Sequence, residues 1–260
     1  MTPTRDVMIT LDIDWAPDFI IDEVAEMLIS KSIKATFFIT HRSAAIDRLR
    51  GCPELFELGI HPNFYTGSSH GKTEDEVMTA AKELVPDAIS MRTHGLYQNS
   101  RFLKKAVTAF GIKVDVSLYL PDMPCIKPHM LDLGDAGGHR LLRVPFFWED
   151  DIALLSKDPA WSVEARRLKR PGLKIFNFHP FHIALNSCDI KRYSDIKSGC
   201  DLPRLGPDRI ERLINRGQGA RTVFLQLIKR LSLENGGKRI KDIYEEGLSD
   251  EDQQDESALR

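Results

Sequence analysis

The chain has no run approaching the ~18 to 20 uninterrupted apolar residues that a membrane-spanning helix requires. The stretch from Met1 to Asp6 enters a structured pattern without the apolar segment of a signal peptide. No integral membrane segment is therefore expected, and a cytoplasmic address is. Cysteine is scarce: Cys52, Cys125, Cys188 and Cys200 are scattered with no CxxC pair, which fits reduced thiols rather than a disulfide framework or a thiolate zinc site. An excess of one charge is also missing. A formal net charge of -2 gives no basic field of the kind that drives nucleic-acid binding. No internal repeat marks a solenoid or propeller.

What is present is the composition of a soluble globular protein, 42% hydrophobic and 28% charged over 260 residues, a length that suits one α/β barrel around one core. The last sixteen residues, 245–260, hold seven acidic side chains and one arginine, and read as a disordered acidic tail. Without them residues 1–244 carry +4, a mildly basic body expected to form a single barrel domain. Arg166, Arg167, Lys169 and Arg170, with Arg209, Arg212 and Arg216, are either a solvated helix face or a surface favouring a phosphorylated or diphosphate-linked substrate.

Short β-branched runs alternate with amphipathic stretches. Val7 to Ile13 reads as a buried strand, and Asp18 as the cap of a helix whose apolar positions Ile20, Ile21, Val24, Met27 and Leu28 follow the 3.6 period. Ala35 to Thr40 is the next strand. Thr73 and Glu76 form a capping-box signature, and Ser100 opens a helix that Gly111 closes as a left-handed cap before the strand Ile112 to Ser117. Leu141 to Phe147 and Leu173 to Phe178 read as further strands, Ile183 to Pro207 as a long surface loop, and Asp208 to Leu231 as one long amphipathic helix. A β-α-β-α order with short connections predicts a parallel sheet closed, or nearly closed, into a barrel.

In such folds the site gathers where strands end. Asp12-Ile-Asp14-Trp15 puts two carboxylates two residues apart, on one side of an extended strand. Two such like charges are costly unless one binds a metal and the other acts as a base; the alternative is a pair of helix or loop caps. His61 follows an apolar run and is a candidate metal ligand, and His70 lies across a Gly/Ser-rich loop able to fold back. Arg92, at the end of another strand, either pairs with a buried carboxylate or is an exposed charge. Asp115 interrupts a hydrophobic strand and needs an Arg or His partner. His179 ends the strand Phe176-Asn-Phe, where a carboxylate on its second nitrogen would make it a tunable general acid. His41 is a weaker candidate for the same mouth. The Trp148-Glu149-Asp150-Asp151 cluster either contacts substrate hydroxyls or is a solvated acidic turn.

The order of these pieces resembles the NodB-homology polysaccharide deacetylases of carbohydrate esterase family 4 over most of residues 5–235. More narrowly, Leu11-Asp-Ile-Asp-Trp-Ala-Pro-Asp18, Gly59-Ile-His-Pro-Asn-Phe64 and Gly67-Ser-Ser-His-Gly71 resemble the divergent WbmS-type branch linked to O-antigen biosynthesis. The resemblance implies a distorted (β/α) barrel, usually of seven strands, that removes acetyl groups from sugars with a divalent metal, zinc first. It implies Asp14, His61 and His70 as metal ligands, Asp12 as catalytic base, Arg92 steadying it, His179 as general acid and Asp115 orienting that acid. The split Asp-x-Asp leaves open an exchange between Asp12 and Asp14. Where the family has a second histidine four residues after the first, this chain has Tyr65, so His70 requires a rearranged loop. Arg92-Thr-His-Gly95 lacks the family's proline and leaves His94 as an extra group. The implied substrate is an acetylated amino sugar, nucleotide- or lipid-diphosphate-linked; a silent carbohydrate binder and another metallohydrolase acting on C–N bonds are the alternatives.

Overall fold

Every residue of β1 (Val7–Asp12) is buried, as a strand covered on both faces must be, and it is paired on both edges, with β2 (Ala35–Ile39) and with β9 (Lys174–Phe178). The computed structural model describes residues 7–121, 123–134, 136–159, 161–164 and 171–247. Between β1 and β9 run α1 (Asp18–Ile29), α2 (Ala44–Arg50), β3 (Phe56–Ile60), α3 (Glu74–Leu84), β4 (Ser90–Met91), α4 (Ser100–Phe110), β5 (Val114–Asp115), β6 (His129–Asp132), β7 (Arg140–Arg143), β8 (Trp148–Glu149) and α5 (Asp150–Leu154). After β9 come α6 (Pro180–Leu185), α7 (Ile190–Gly199), α8 (Pro207–Leu213) and α9 (Ala220–Leu231), and residues 240–247 are helical.

The strands form one curled half-barrel sheet in the order β6-β7-β5-β4-β3-β2-β1-β9-β8. All neighbours are parallel except β6 and β7. The α/β barrel expectation therefore holds in architecture but not in number, since the described residues give nine strands rather than seven. The additions are short: β8 has two residues, and β6 is a four-residue antiparallel edge.

The helices follow from their local sequence. On α1 the buried positions are Ile20, Ile21, Val24, Ala25 and Leu28, one stripe at helical spacing, although the cap is Pro17 and Asp18 is the first helical residue. Thr73 and Glu76 make a complete capping box on α3, and Gly111 closes α4 at φ 69°. Two expectations in the C-terminal third are corrected. The stretch read as a loop contains the end of α6, all of α7 and the first residue of α8, with Asp189 accepting the Arg192 N–H as the cap of α7. The helix read from Asp208 to Leu231 is two helices, because Asn215 to Gly219 leaves the helical path and Asn215 N–H donates to the Leu185 carbonyl instead. Of the acidic tail, 245–247 finish a helical segment and 248–260 lie outside the described residues, as do Arg166, Arg167, Lys169 and Arg170. All four cysteines are free thiols.

One buried acid ties the sheet to the C-terminal helix. Glu57 on β3 accepts from Thr36 Oγ1 (2.8 Å), Ser90 Oγ (2.6 Å) and the Lys241 N–H (2.8 Å), and burial pushes its carboxyl above the usual value. Gly59, two residues along the same strand face, leaves the room this bridge needs: a Cβ there would sit 2.7 Å from both the Phe38 ring and Ser90 Oγ. Glu57→Ala strands two hydroxyls and an amide without their acceptor. It is expected to lower unfolding stability by about 2–4 kcal/mol, read as a lower urea midpoint.

Candidate active site

Five parallel strands deliver polar groups to one end of the sheet: Asp12 ends β1, His61 follows β3, Arg92 follows β4, Glu149 ends β8 and His179 follows β9. Beyond Asp12 the chain does not stay extended. Asp14 (φ 35°) and Trp15 (φ 56°) are consecutive left-handed residues, a conformation costing about 1–3 kcal/mol at each non-glycine position. The Ile13 N–H on the Phe38 carbonyl (3.2 Å) and the Trp15 N–H on Thr40 Oγ1 (3.2 Å) hold this turn against β2. His41 braces it too, through Nε2 on the Ala16 carbonyl (3.1 Å). The two carboxylates thus converge through a strained turn and not through the pleat.

Asp14 meets two imidazoles. His61 Nδ1 donates to the Arg92 carbonyl (2.7 Å); a carbonyl only accepts, so the proton is on Nδ1 and the Nε2 lone pair points outward. That Nε2 lies 3.2 Å from His94 Nδ1 and 3.3 Å from Asp14 Oδ1, and His94 Nδ1 lies 3.3 Å from the same Oδ1. Three donor atoms at the corners of a near-equilateral triangle match a tetrahedral ion, whose bonds of ~2.0–2.1 Å set its ligands roughly 3.3–3.4 Å apart. Asp14 Oδ1 is buried with no hydrogen-bond partner, an unpaired acceptor that a cation would satisfy. Burial opposes charge on Asp14, and the imidazoles of His61, His94 and His179 overcome it, holding the carboxyl well below the usual range.

His70, expected in this group, is not brought to it. Its Nδ1 accepts the Asn63 N–H (3.1 Å) and its Nε2 donates to the Thr40 carbonyl (2.5 Å), so both ring nitrogens are spent pinning the 61–72 loop to the end of β2. His94, one strand further on, occupies the place instead.

Arg92 does meet the buried carboxylate. Its guanidinium is fully buried between the rings of Phe38 (4.7 Å) and Phe146 (4.5 Å), and Nη1 reaches Asp12 Oδ1 (3.1 Å), Thr10 Oγ1 (2.9 Å) and the Asn177 side-chain oxygen. Asp12 Oδ2 accepts from Asn177 Nδ2 (2.8 Å). The same amide reaches Glu149 (3.0 Å), whose carboxyl burial raises to about 7.

His179 has a carboxylate partner, but it is Asp150, not Asp115. Asp150 Oδ1 lies 2.7 Å from His179 Nδ1, and Oδ2 accepts the His179 N–H (2.8 Å). Asp115 is engaged elsewhere, accepting from Ser117 Oγ (2.7 Å) with Oδ2 2.7 Å from Arg143 Nε; an arginine partner is one of the two its buried position required. The reason lies in sheet order. β8, which Asp150 directly follows, is the neighbour of β9, while β5 is five strands away. Burial works against charge on His179, and the carboxylates of Asp151 and Asp150 outweigh it, so its pKa stands well above the usual imidazole value. His179 Nε2 faces Asp14 Oδ2 at 3.5 Å and Asp12 Oδ2 at 4.0 Å. The triangle and the His179–Asp150 pair are therefore two halves of one centre.

A family model described as WbmS-like polysaccharide deacetylase matches residues 9–197, which spans all of these groups. The chain belongs to that family. Among solved structures, a WbmS-like relative from Bordetella bronchiseptica, described as a polysaccharide deacetylase involved in O-antigen biosynthesis, is 28% identical, with a TM-score of 0.73 over 86% of this chain and 90% of its own. The peptidoglycan N-acetylglucosamine deacetylase Bc1960 is 14% identical (TM-score 0.46; 90% of this chain, 85% of its own), and the family 4 pseudoenzyme BA3943 from Bacillus anthracis is 16% identical (TM-score 0.42; 92% and 65%). No curated protein sequence matches significantly.

In this WbmS-like chain the centre opens into a cleft of about 540 Å³. Trp15 and His94 line one part, and Phe181, Tyr193 and Lys197 another. Tyr193 and Lys197 come from α7, the helix that sequence composition hid. Arg209, on α8, lines a separate cleft. Asp150 and His94 were the functional positions harder to read, yet both obey the signal that found the others, a polar residue just past the end of a buried strand.

Proposed function

We propose that the chain is a metal-dependent deacetylase that removes an acetyl group from an amino sugar in a cell-surface polysaccharide, O-antigen type, biosynthetic pathway. The observation that carries the reading is the triangle of Asp14, His61 and His94 facing the His179–Asp150 pair across one cleft. Zinc suits this N2O donor set best, although Co²⁺, Ni²⁺ or Fe²⁺ tolerate the same ligands. A bound cation would polarise the acetyl carbonyl and lower the pKa of a water molecule beside it. The chain's own groups supply the rest. Asp12 lies outside the triangle and takes the proton of the attacking water, with Arg92 and Asn177 fixing its two oxygens. His179, charged and held by Asp150, gives its Nε2 proton to the leaving nitrogen, which departs poorly unless protonated. The hydrophobic rings that enclose Arg92 keep water from competing with this pairing.

The substrate on this reading is a cytoplasmic glycan intermediate linked to a nucleotide or lipid diphosphate, for which Lys197 is the cation lining the cleft. Residues 1–244 would act as a single barrel domain. No described helix is long and apolar enough to cross a membrane.

The test is metal analysis of protein purified without added ions, followed by acetate release from a panel of N-acetylated sugars and sugar nucleotides. About one equivalent of metal is expected, with release abolished by chelation and restored by the ion. Persistent absence of acetate from metal-loaded protein would assign a carbohydrate-binding role instead.

A further inference from the structure

The site holds a second aspartate–histidine pair that none of these roles uses. Asp150 and Asp151 are consecutive at the start of α5, and His179 and His182 are one turn apart at the start of α6, with ring centroids separated by 5.6 Å. Asp150 meets His179, and Asp151 meets His182 at 2.5 Å from Oδ1 to Nε2. The two pairs are built in opposite senses. In the first the carboxylate is buried and the imidazole faces the cleft. In the second His182 is buried, with Nδ1 3.0 Å from Ser187 Oγ, and the half-exposed carboxylate faces the cleft. A buried imidazole whose two nitrogens are both spent has no reacting role left; what it does is fix Asp151 in one orientation. That orientation sets Oδ2 3.7 Å from His179 Nε2, the nitrogen that delivers the proton, an ion-pair contact too long for a hydrogen bond.

We propose that Asp151 is a substrate-positioning residue that accepts a hydrogen bond from the nitrogen of the scissile acetamido group, so that the site takes N-acetyl sugars in preference to O-acetyl sugars. The inference rests on the deacetylase reading above. A leaving atom within ~3 Å of His179 Nε2 can also lie within ~3 Å of Asp151 Oδ2. An amide nitrogen there has a hydrogen to offer the carboxylate, whereas an ester oxygen offers none and meets it as one acceptor against another. Hydrolysis adds water across the C–N bond: the hydroxyl goes to the acetyl carbon, the C–N bond breaks, and the nitrogen takes a proton from His179. Until that bond breaks the protonated nitrogen is a cation beside Asp151; it then departs as a neutral amine, and the proton given up by the acetic acid converts the pair to acetate and ammonium.

The decisive variant is Asp151→Asn, with His182→Phe and His182→Gln beside it and metal content and melting temperature measured on each. On N-acetylglucosamine derivatives, D151N is expected to lower kcat/KM by at least ~30-fold, and on O-acetylated glucose by less than ~3-fold. H182F should follow D151N in direction, and H182Q, which keeps a donor to Oδ1, should recover most of the loss. Equal losses on both probes overturn the proposal. A binding measurement separates it from the reading beneath: wild type should bind glucosamine more tightly than glucose, and D151N should lose that difference. If metal-loaded wild type cleaves neither probe, the deacetylase reading fails. The glucosamine preference still decides Asp151, its loss in D151N supporting nitrogen recognition and its absence from wild type overturning it.

Discussion

If the proposed triangle holds a metal, replacing His94 with alanine should abolish metal retention, while His70→Ala should leave it intact. The asymmetry follows from lone pairs. His94 Nδ1 stands 3.2–3.3 Å from both His61 Nε2 and Asp14 Oδ1, whereas His70 has one nitrogen donating to a carbonyl and the other accepting from an amide. Loss of groups outside the coordination sphere already weakens metal binding by roughly 10- to 100-fold, so loss of a direct ligand should exceed ~100-fold. H94A, H61A and D14A should therefore elute without metal at concentrations where wild type retains it. H70A should instead lose about 1–3 kcal/mol of stability, because the Asn63 amide and Thr40 carbonyl are left without partners near the site mouth. Metal analysis beside thermal melting reads both effects. Full metal in H94A and none in H70A would return the ligand role to His70.

The second large effect concerns proton delivery. His179→Asn should lower kcat for acetate release by about 10³-fold with metal content unchanged, within the range that a positioned general acid contributes. Asp150→Asn should lose part of this, about 10- to 100-fold, through the altered hold on His179 Nδ1. Asp115→Asn should separate cleanly from both. Its carboxylate neutralises the largely buried Arg143, so the loss should appear as about 3–5 kcal/mol of stability, with kcat little changed in whatever remains folded. A kinetic defect in D115N without a stability defect, and a silent D150N, would restore the orienting role to Asp115.

These contrasts mark where the sequence was legible. Capping residues Thr73, Glu76 and Gly111 act over four or five residues, and the helices they bound lie where local chemistry places them. Arg92 beside Asp12, and an arginine beside Asp115, follow from the cost of burying a lone charge, which holds whatever the topology. The failures share a cause: they depend on which strand neighbours which, or which way a ring turns. Asp115 ends one strand and Asp150 directly follows another, and only the place of β8 beside β9 selects Asp150. His70 and His94 both follow His61 within reach of a loop, and only the hydrogen bonds around His70 exclude it. Helix α7 was unreadable for a further reason. It has no fully buried residue, and only Tyr193 and Ile196 pack partly against the core, too thin a stripe to stand out from its polar neighbours.

The place of β1 between β2 and β9 also orders events in time. The proposed metal ligands lie within residues 14–94 and need only the first four strands. The acid side needs β9, whose Asn177 closes on Asp12 across 165 positions of chain. During synthesis, the ligand triangle can assemble on an unfinished half-sheet while one edge of β1 stays open and Asp12 lacks its second hydrogen-bond partner. Closure waits for the most sequence-distant pairing among the strands, the step whose loop-closure entropy is largest. A nascent chain that folds in this order would complete the proposed ion-holding triangle before the proposed proton donor is in place.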